Sequence, residues 1–419
     1  MNSNIFNGNL WNSNFTNLFL SRIVKVTGDN FALISLMWLI IEMGEGAIGV
    51  ALLLTVTILP QALLGPIISP LMQKKHLARW MFYSDIIRAI IIASIPLLYS
   101  IGLLKFWLLL IIVIFQSATG SSYNPASVAI IPQIVIKNHI QKANAILQSS
   151  YEIVTLISVT VAGFFVSFSI QNTLLITGIL FFISAVFARF IKQRNEDQEK
   201  ETKNKDIQKE SYIKKLAHGF KLVKNHRLLF ALTLYAIFMN IGLAPWSALS
   251  AVFVSEILES GASVHSLIRG TTAVGALLMG LLLSKVDVQR YGLLFILAGI
   301  VEGLAFLITG LSTFLPIIFI CAFIFGMTVS AVNVPELVII QTSVSEEDQP
   351  QVYAIITMLS VTLIPISYII SGYLANYIGI GKVIALGGLI EFLAGVYVLL
   401  FSGLAKMKNS VCNERDVSI

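Results

Sequence analysis

Twelve long apolar runs, separated by short polar breaks, constrain this chain more than any other feature. A helix needs roughly 20 apolar residues to cross a bilayer, and each run supplies about that number. Only 12% of the residues are charged, which is too few to cover the surface of a soluble protein of this length. We therefore predict an all-α integral membrane protein with transmembrane helices over residues 17–43, 47–72, 80–102, 106–134, 142–168, 172–191, 227–255, 264–284, 290–311, 314–342, 351–378 and 382–404.

The predicted spans form two sets of six, separated by one long polar stretch. That stretch, Lys192–Arg227, holds eleven Lys or Arg residues against six Asp or Glu residues. We predict an N-terminal six-helix bundle over 1–191, a basic linker over 192–226, and a C-terminal six-helix bundle with a short tail over 227–419.

The basic residues are distributed unevenly between the two sides of the predicted membrane. Lys and Arg accumulate in cytoplasmic loops, so the basic linker and both termini are predicted to be cytoplasmic. The net charge of +6 then reflects membrane topology, and we expect no nucleic-acid partner. The predicted cytoplasmic side carries Lys74, Lys75, Arg79, Lys137, Lys142, Lys285, Arg290, Lys406 and Lys408, and the opposite side carries Lys105, Arg269 and Lys382.

Within the linker, the segment "YIKKLAHGFKLVK" over 212–224 is amphipathic. Its apolar residues Ile213, Leu216, Phe220 and Val223 share one helical face, and lysines occupy the rest. This pattern is typical of a helix lying on the membrane surface. A solvated linker helix would show the same pattern, so both interpretations stay open.

The two halves repeat each other with a constant offset. Asn124 and Asn333 are 209 positions apart. The same offset relates further identical residues, among them glycines, which mark close helix packing in membranes. The further pairs are Val135 with Val344, Ala145 with Ala354, Gly163 with Gly372, and Gly178 with Gly387. We therefore predict two six-helix pseudo-repeats.

Several motifs in a fixed order resemble one branch of the major facilitator superfamily. That branch contains macrolide efflux pumps and enterobactin-type siderophore exporters. The resemblance implies the major facilitator fold and a bacterial cell-membrane location. It also implies outward transport of an amphipathic organic molecule coupled to proton entry. The motifs are "GDNFALISLMWL" (28–39), "LPQALLGPIISPL" (59–71), "SDIIRA" (84–89), "YNPASVAIIPQIV" (123–135), "KANAI" (142–146) and "NVPELVIIQTSV" (333–344).

The loop after the second span departs from the pattern of that family. Ser69 stands where the family has glycine, and Gln73 stands where it has an acid that helps to lock the cytoplasmic gate. We expect the gate to depend instead on Asp85 and Arg88, three residues apart on the third span, together with Lys25. A local structural ion pair between Asp85 and Arg88 is the alternative.

Three charged residues lie within the first predicted span. Arg22, Lys25 and Asp29 are spaced by three and four residues, so they share one helix face. Each charge at the centre of a span costs about 2.5–3.5 kcal/mol on insertion scales, and Asp29 is too short to reach the surface. The stripe must therefore face protein or water, and the resemblance places the first span at the central cavity.

Asp29 is the predicted proton-coupling residue. Burial favours its neutral form and Lys25 favours its carboxylate, so its protonation can depend on conformation. A permanently ionised Lys25–Asp29 pair that only orients the helix is the alternative. Glu336, in the tenth span, is the second predicted proton-coupling residue, or it contacts a cationic group of the substrate. Two further buried acids, Glu302 and Glu391, receive no role.

Five residues in or beside the predicted cavity are the candidate substrate contacts. Apolar walls with a few placed polar groups suit an amphipathic ligand. A tryptophan in such a chain more often packs or anchors at the interface than binds a ligand. The candidates are Asn124, Asn240, Asn333, Tyr123 and Trp246.

The sequence contains no phosphate-binding loop, no nucleophile–base arrangement and no metal-ligand spacing. We therefore predict a monomeric transporter rather than an enzyme, with no cofactor and with the proton gradient as its energy source. The predicted function is secondary export of a siderophore or a macrolide-like drug by proton antiport. A metabolite uptake transporter of the same fold, and a non-transporting receptor or lipid-modifying protein, remain alternatives.

Overall fold

The structure, a computed structural model, describes residues 10–71, 76–136, 139–193, 218–286, 288–345 and 348–406. Every regular element in these ranges is helical. The helices of the first half are α1 (Ser13–Glu42), α2 (Gly46–Leu71), α3 (Leu77–Ser100), α4 (Phe106–Gly120), α5 (Tyr123–Ala129), α6 (Ile131–Ile134), α7 (Ile140–Phe168) and α8 (Ile170–Arg189). Those of the second half are α9 (218–225), α10 (Arg227–Val252), α11 (Ala262–Leu283), α12 (Tyr291–Leu311), α13 (Leu315–Ser343), α14 (Gln349–Thr362), α15 (Ile364–Ile378) and α16 (Ile380–Phe401).

Twelve helical segments in the described ranges are long and apolar enough to cross a membrane, which confirms the predicted fold class. Two of them contain a break between helices, because α4 gives way to α5 and α14 gives way to α15. Pro125, Pro132 and Pro365 lie in the first turns of α5, α6 and α15. Proline has no backbone N–H, so it fits the first turn of a helix and removes a hydrogen bond where it follows another helical segment.

The first span begins earlier than its apolar run. The Asn12 side chain accepts a hydrogen bond of 2.9 Å from the backbone N–H of Phe15 and so caps α1 ahead of Ser13. Its amide nitrogen also donates to the carbonyl of Ile134 at 2.8 Å. The 30 residues of α1 extend about 45 Å, and Asp29 lies about 24 Å from the start, near the midpoint.

The chain divides into two compact units. The first contains residues up to Lys200 together with Ser260–Gly270, and the second contains Glu201–Glu259 and Thr271 onward. Each unit has a buried apolar core. The first includes Phe15, Leu18 and Tyr123, and the second includes Tyr235, Phe295 and Val398.

The two units repeat the same helix pairings. In the first unit α1 and α3 both pack against α8, and in the second α10 and α12 both pack against α16. Two glycines related by the 209-residue offset lie at such contacts. A Cβ atom on Gly178 would approach the carbonyl oxygen of Ala89 to 3.2 Å, and one on Gly387 would approach that of Gly242 to 2.5 Å. The predicted close packing is confirmed at both.

Part of the predicted linker helix is described. Residues 218–225 are helical, with Val223 buried in the core of the second unit and Phe220 exposed. Ile213 and Leu216, like Gln73 and the side chain of Ser69, lie outside the described residues. The structure therefore shows that one residue of the predicted apolar face packs against protein.

Candidate functional site

Asp29 forms ion pairs with two cations in the first unit. One carboxylate oxygen, Oδ2, lies 2.8 Å from Nζ of Lys25, one helical turn earlier on α1. The other oxygen, Oδ1, accepts a hydrogen bond from the guanidinium of Arg88 on α3. The side chains of Lys25 and Arg88 are 10% and 5% exposed, whereas that of Asp29 is 33% exposed. The carboxylate is therefore the most exposed group of a cluster whose cations are largely buried.

Arg88 also faces a second acid on its own helix. Its Nη1 atom lies 3.7 Å from Oδ1 of Asp85, and neither atom has a hydrogen-bond partner among the described residues. Asp85 is fully buried. The guanidinium stacks on Phe181 of α8, with 4.0 Å between its central carbon and the ring centroid. Arg88 thus lies beside the carboxylates of both Asp29 and Asp85. The sequence predicted its proximity to Asp85 but not its ion pair with Asp29.

A buried chain of hydroxyl groups links Asp85 to Tyr123. The Ser184 hydroxyl lies 2.6 Å from Oδ2 of Asp85 and 2.9 Å from the carbonyl of Ser21, and its single proton serves one of them at a time. The Ser21 hydroxyl lies 3.1 Å from that of Ser184 and 2.7 Å from that of Tyr123. Lys25 lies over the Tyr123 ring, 5.1 Å from its centroid. Asp85 on α3 and the hydroxyl group of Tyr123 on α5 therefore belong to one connected polar network.

This network borders a cavity of about 290 Å³ within the first unit. The walls are mostly polar, and they carry three cations against one carboxylate. The predicted residues Tyr123 and Asn124 line it, and Oδ1 of Asn124 accepts a hydrogen bond of 3.3 Å from Lys25. The lining residues are Arg22, Lys25, Val26, Asp29, Gln61, Arg88, Gly120, Tyr123, Asn124, Gln148 and Tyr151.

A second cavity of about 310 Å³ lies within the second unit. Three predicted residues, Asn240, Asn333 and Glu336, line it together with a largely apolar wall that includes Phe295 and Phe325. The amide nitrogen of Asn240 donates to the carbonyl of Ala236 at 2.9 Å, which leaves its oxygen and its second N–H for a ligand. The described lining contains no lysine, arginine or histidine.

Trp246 does not line either of these cavities. It is 8% exposed and packs against Phe253 and Phe306, with ring centroids 6.3 and 6.1 Å apart. Its position matches the packing role that is more common for a tryptophan in such chains. Glu302, which received no role from the sequence, does line the second cavity.

The sequence model of the Major Facilitator Superfamily matches residues 18–364. The chain belongs to the major facilitator superfamily. Membership confirms the resemblance read from the motifs. Together with the twelve candidate spans, it makes the protein a multi-pass membrane transporter rather than an enzyme.

Two relatives within this superfamily cover almost the whole chain. An uncharacterised MFS-type transporter, YvqJ, of Bacillus subtilis (strain 168) is 51% identical over 98% of this chain and 97% of its own. Macrolide efflux protein A of Streptococcus pyogenes is 22% identical over 95% of this chain and 98% of its own.

Solved structures of other major facilitator proteins share the fold. The nucleoside transporter NupG superposes with a TM-score of 0.71 at 12% identity, covering 92% of this chain and 99% of that one. A bacterial homologue of the iron transporter ferroportin gives 0.68 at 15% identity, covering 92% and 98%. At these identities the likeness supports the fold alone, and the substrate has to be inferred from the residues of the site.

Proposed function

We propose that the protein is a secondary exporter that exchanges protons for an amphipathic small organic molecule by alternating access. The observation that carries this proposal is the position of Asp29. Its carboxylate lies near the middle of a membrane-spanning helix, opens into a polar cavity, and is held by the two cations Lys25 and Arg88. An intramembrane acid that reaches a cavity is the element a proton-driven transporter needs.

Protonation of Asp29 would change the partners of Arg88. A neutral Asp29 no longer attracts the guanidinium, while Asp85 remains 3.7 Å away and is shielded from water. A buried arginine is stable only beside an anion, so Arg88 turns to Asp85 when Asp29 binds a proton. The site then has two discrete arrangements, and proton uptake selects between them.

The export direction and the substrate class come from separate observations. One relative is named as a macrolide efflux protein, which favours export and a macrolide-like substrate. The second cavity combines apolar walls with Asn240, Asn333 and Glu336, a lining that suits an amphipathic molecule with a few polar groups. A siderophore fits the same description. The proton gradient supplies the energy, and the protein acts as a monomer in the bacterial cell membrane with both termini in the cytoplasm.

Everted membrane vesicles that contain a pH-sensitive dye test the proposal. Erythromycin, or a catecholate siderophore in a parallel series, is added outside after respiration has acidified the lumen. Wild-type vesicles should then lose lumenal protons, whereas Asp29→Asn vesicles should not. Glu45→Gln, at an exposed acid in the loop after α1, is the matched control and should behave as wild type. Equal responses from wild type and Asp29→Asn would remove Asp29 from the coupling role.

A further inference from the structure

Two buried glutamates of the second unit lie apart from the Asp29 cluster of the first unit. Glu302 on α12 is 4% exposed, and Glu391 on α16 is fully buried. Both carboxylate oxygens of Glu391 lack a hydrogen-bond partner among the described residues. An ionised carboxylate without partners is among the most costly groups to bury in a membrane protein. Glu391 therefore has to carry a proton or to lie beside a group that supplies one.

Close backbone contact between α12 and α16 holds the two glutamates side by side. A Cβ atom on Gly303 would lie 2.6 Å from the backbone nitrogen of Phe392 and 2.7 Å from the carbonyl oxygen of Gly388. These three residues are the sequence neighbours, or near neighbours, of Glu302 and Glu391. The two carboxyl groups interact electrostatically, and like charges so placed resist being ionised together.

A third helix closes the space around Glu391. A Cβ atom on Gly242 of α10 would lie 2.7 Å from Cβ of Glu391 and 3.1 Å from its Oε2. Gly395 lies one turn after Glu391 on α16, and the Tyr235 hydroxyl of α10 packs against Gly395 and against Gly299 of α12. The same hydroxyl donates to the carbonyl of Ile296 at 3.3 Å. Glu391 is therefore sealed by α10, α12 and α16.

Among the described residues, no lysine or arginine provides a counter-charge for this pair. Tyr235 is within electrostatic range of both glutamates, and no described lysine or arginine acts on either of them. Arg227 and Lys382 lie near the starts of α10 and α16, and Lys406 follows α16. The remaining titratable residues on the elements packed against α12 and α16 are Glu256, Tyr291, Cys321, Glu336, Tyr368, Tyr373, Tyr377 and Tyr397.

Glu302 connects this sealed pair to the cavity of the second unit. It lines the 310 Å³ cavity, whereas Glu391 lies behind it and does not. The Thr328 hydroxyl lies beside the Glu302 carboxyl and 2.7 Å from the carbonyl of Phe325, and its single proton serves one of them at a time. When Glu302 is ionised the hydroxyl can donate to it, and when Glu302 is protonated the hydroxyl can donate to Phe325 and accept from Glu302.

We propose that Glu302 and Glu391 form a proton-binding pair in which Glu302 exchanges protons with the cavity and Glu391 is the sealed inner member. The pair would be a second proton site, separate from Asp29. Its part in transport rests on the proposed proton-coupled function, but its proton binding does not.

Infrared difference spectra of the full-length protein in lipid nanodiscs, recorded between acidic and alkaline pH, test the pair without a transport substrate. Wild type should show C=O stretching bands of protonated carboxyl groups that change with pH. Glu302→Gln and Glu391→Gln should each remove one band and shift the titration of the other. Glu256→Gln, at an exposed acid after α10, is the control and should keep the bands of Glu302 and Glu391. Spectra of both pair variants identical to wild type would overturn the proposal.

A sodium titration at constant pH separates protons from other monovalent cations. Loss of the protonated-carboxyl bands on adding sodium would make this a sodium site and would overturn the proton assignment. The Asp29→Asn variant should keep the bands of the pair. If wild type fails to exchange protons for erythromycin while these bands titrate, the transport proposal fails and the proton-binding pair stands.

Labelling of wild type with an apolar carbodiimide covers the case in which a variant does not fold. Carbodiimides react with protonated carboxyl groups in apolar surroundings, and mass spectrometry locates the adduct. Glu302 should be modified, and the modified fraction should fall as the pH of the labelling buffer rises. An unmodified Glu302 at every pH, or a modified fraction that ignores pH, would contradict the proposal.

Discussion

Arg88 on α3 forms an ion pair with Asp29 on α1, 59 positions earlier in the chain. The pair is asymmetric, because the arginine side chain is 5% exposed and the aspartate side chain is 33% exposed. Asp85, on the same helix as Arg88, lies within 3.7 Å of the same guanidinium. Arg88, which is largely buried, therefore lies beside two acids: Asp29, which is partly exposed, and Asp85, which is fully buried.

Removing this cation should destabilise the protein. Arg88→Met leaves Asp85 buried with only the Ser184 hydroxyl as a close partner, whereas Asp29 keeps Lys25. Breaking a buried pair in this way costs about 3–5 kcal/mol, and thermal unfolding of the purified protein in detergent should show the loss. Adding Asp85→Asn should recover part of it, since the neutral amide needs no cation.

The control for this prediction is on the same helix. Arg79 is exposed near the start of α3, and Arg79→Met should change the unfolding free energy by less than about 0.5 kcal/mol. If Arg88→Met unfolded at the wild-type temperature, Arg88 would not be the counter-ion that holds Asp85.

Trp246 and Asn333 are both predicted substrate contacts, but alanine substitutions at the two positions should have different effects. The first should lower stability, and the second should lower transport. Trp246 is buried between aromatic rings, so Trp246→Ala should lower stability by about 3–5 kcal/mol. Asn333 is exposed and lines the second cavity, so Asn333→Ala should unfold like wild type but transport less erythromycin. Unfolding temperature and uptake into everted vesicles, measured on the same preparations, check both. Reduced transport by a fully stable Trp246→Ala protein would show that the tryptophan contacts the substrate.

The sequence predicted the spans and the stripe on α1 because both depend on local rules. Apolar length identifies a span, and spacings of three and four residues place Lys25 and Asp29 on one helix face. The first span begins at Ser13 rather than near residue 17 because Asn12 caps it, and a cap is a polar signal that an apolar run does not contain.

The contacts between helices were beyond these rules. Arg88 reaches Asp29 because α1 and α3 both pack on α8, and the spacing of residues within α3 specifies only its neighbour Asp85. Glu302 and Glu391 stood out as buried acids, but their proximity depends on the contact between Gly303 and Gly388. A glycine in an apolar run indicates close packing without naming the partner.

That glycine contact gives a direct test of helix packing. Gly303→Ala would place a methyl group 2.6 Å from a backbone nitrogen, so α12 and α16 must separate and the unfolding temperature should fall. Gly280→Ala is the matched control, because its methyl group would meet nothing closer than the Ser330 hydroxyl at 3.7 Å. Alanine is also the better helix former by about 0.8–1.0 kcal/mol in soluble helices. Equal unfolding temperatures for the two variants would mean that α12 and α16 are not in backbone contact.

The orientation of the chain in the membrane can be measured with single cysteines. Lys105 and Lys285 are exposed in loops on opposite predicted sides, and the structure shows Lys105 just before α4 and Lys285 just after α11. In a background that lacks Cys321 and Cys412, a membrane-impermeant maleimide should label Lys105→Cys in intact cells and Lys285→Cys only in everted vesicles. Lysine is retained on the cytoplasmic side during insertion, so the basic 192–226 linker and Lys285 should share that side. Labelling of Lys285→Cys in intact cells would contradict the predicted topology and would place the basic linker outside the cytoplasm.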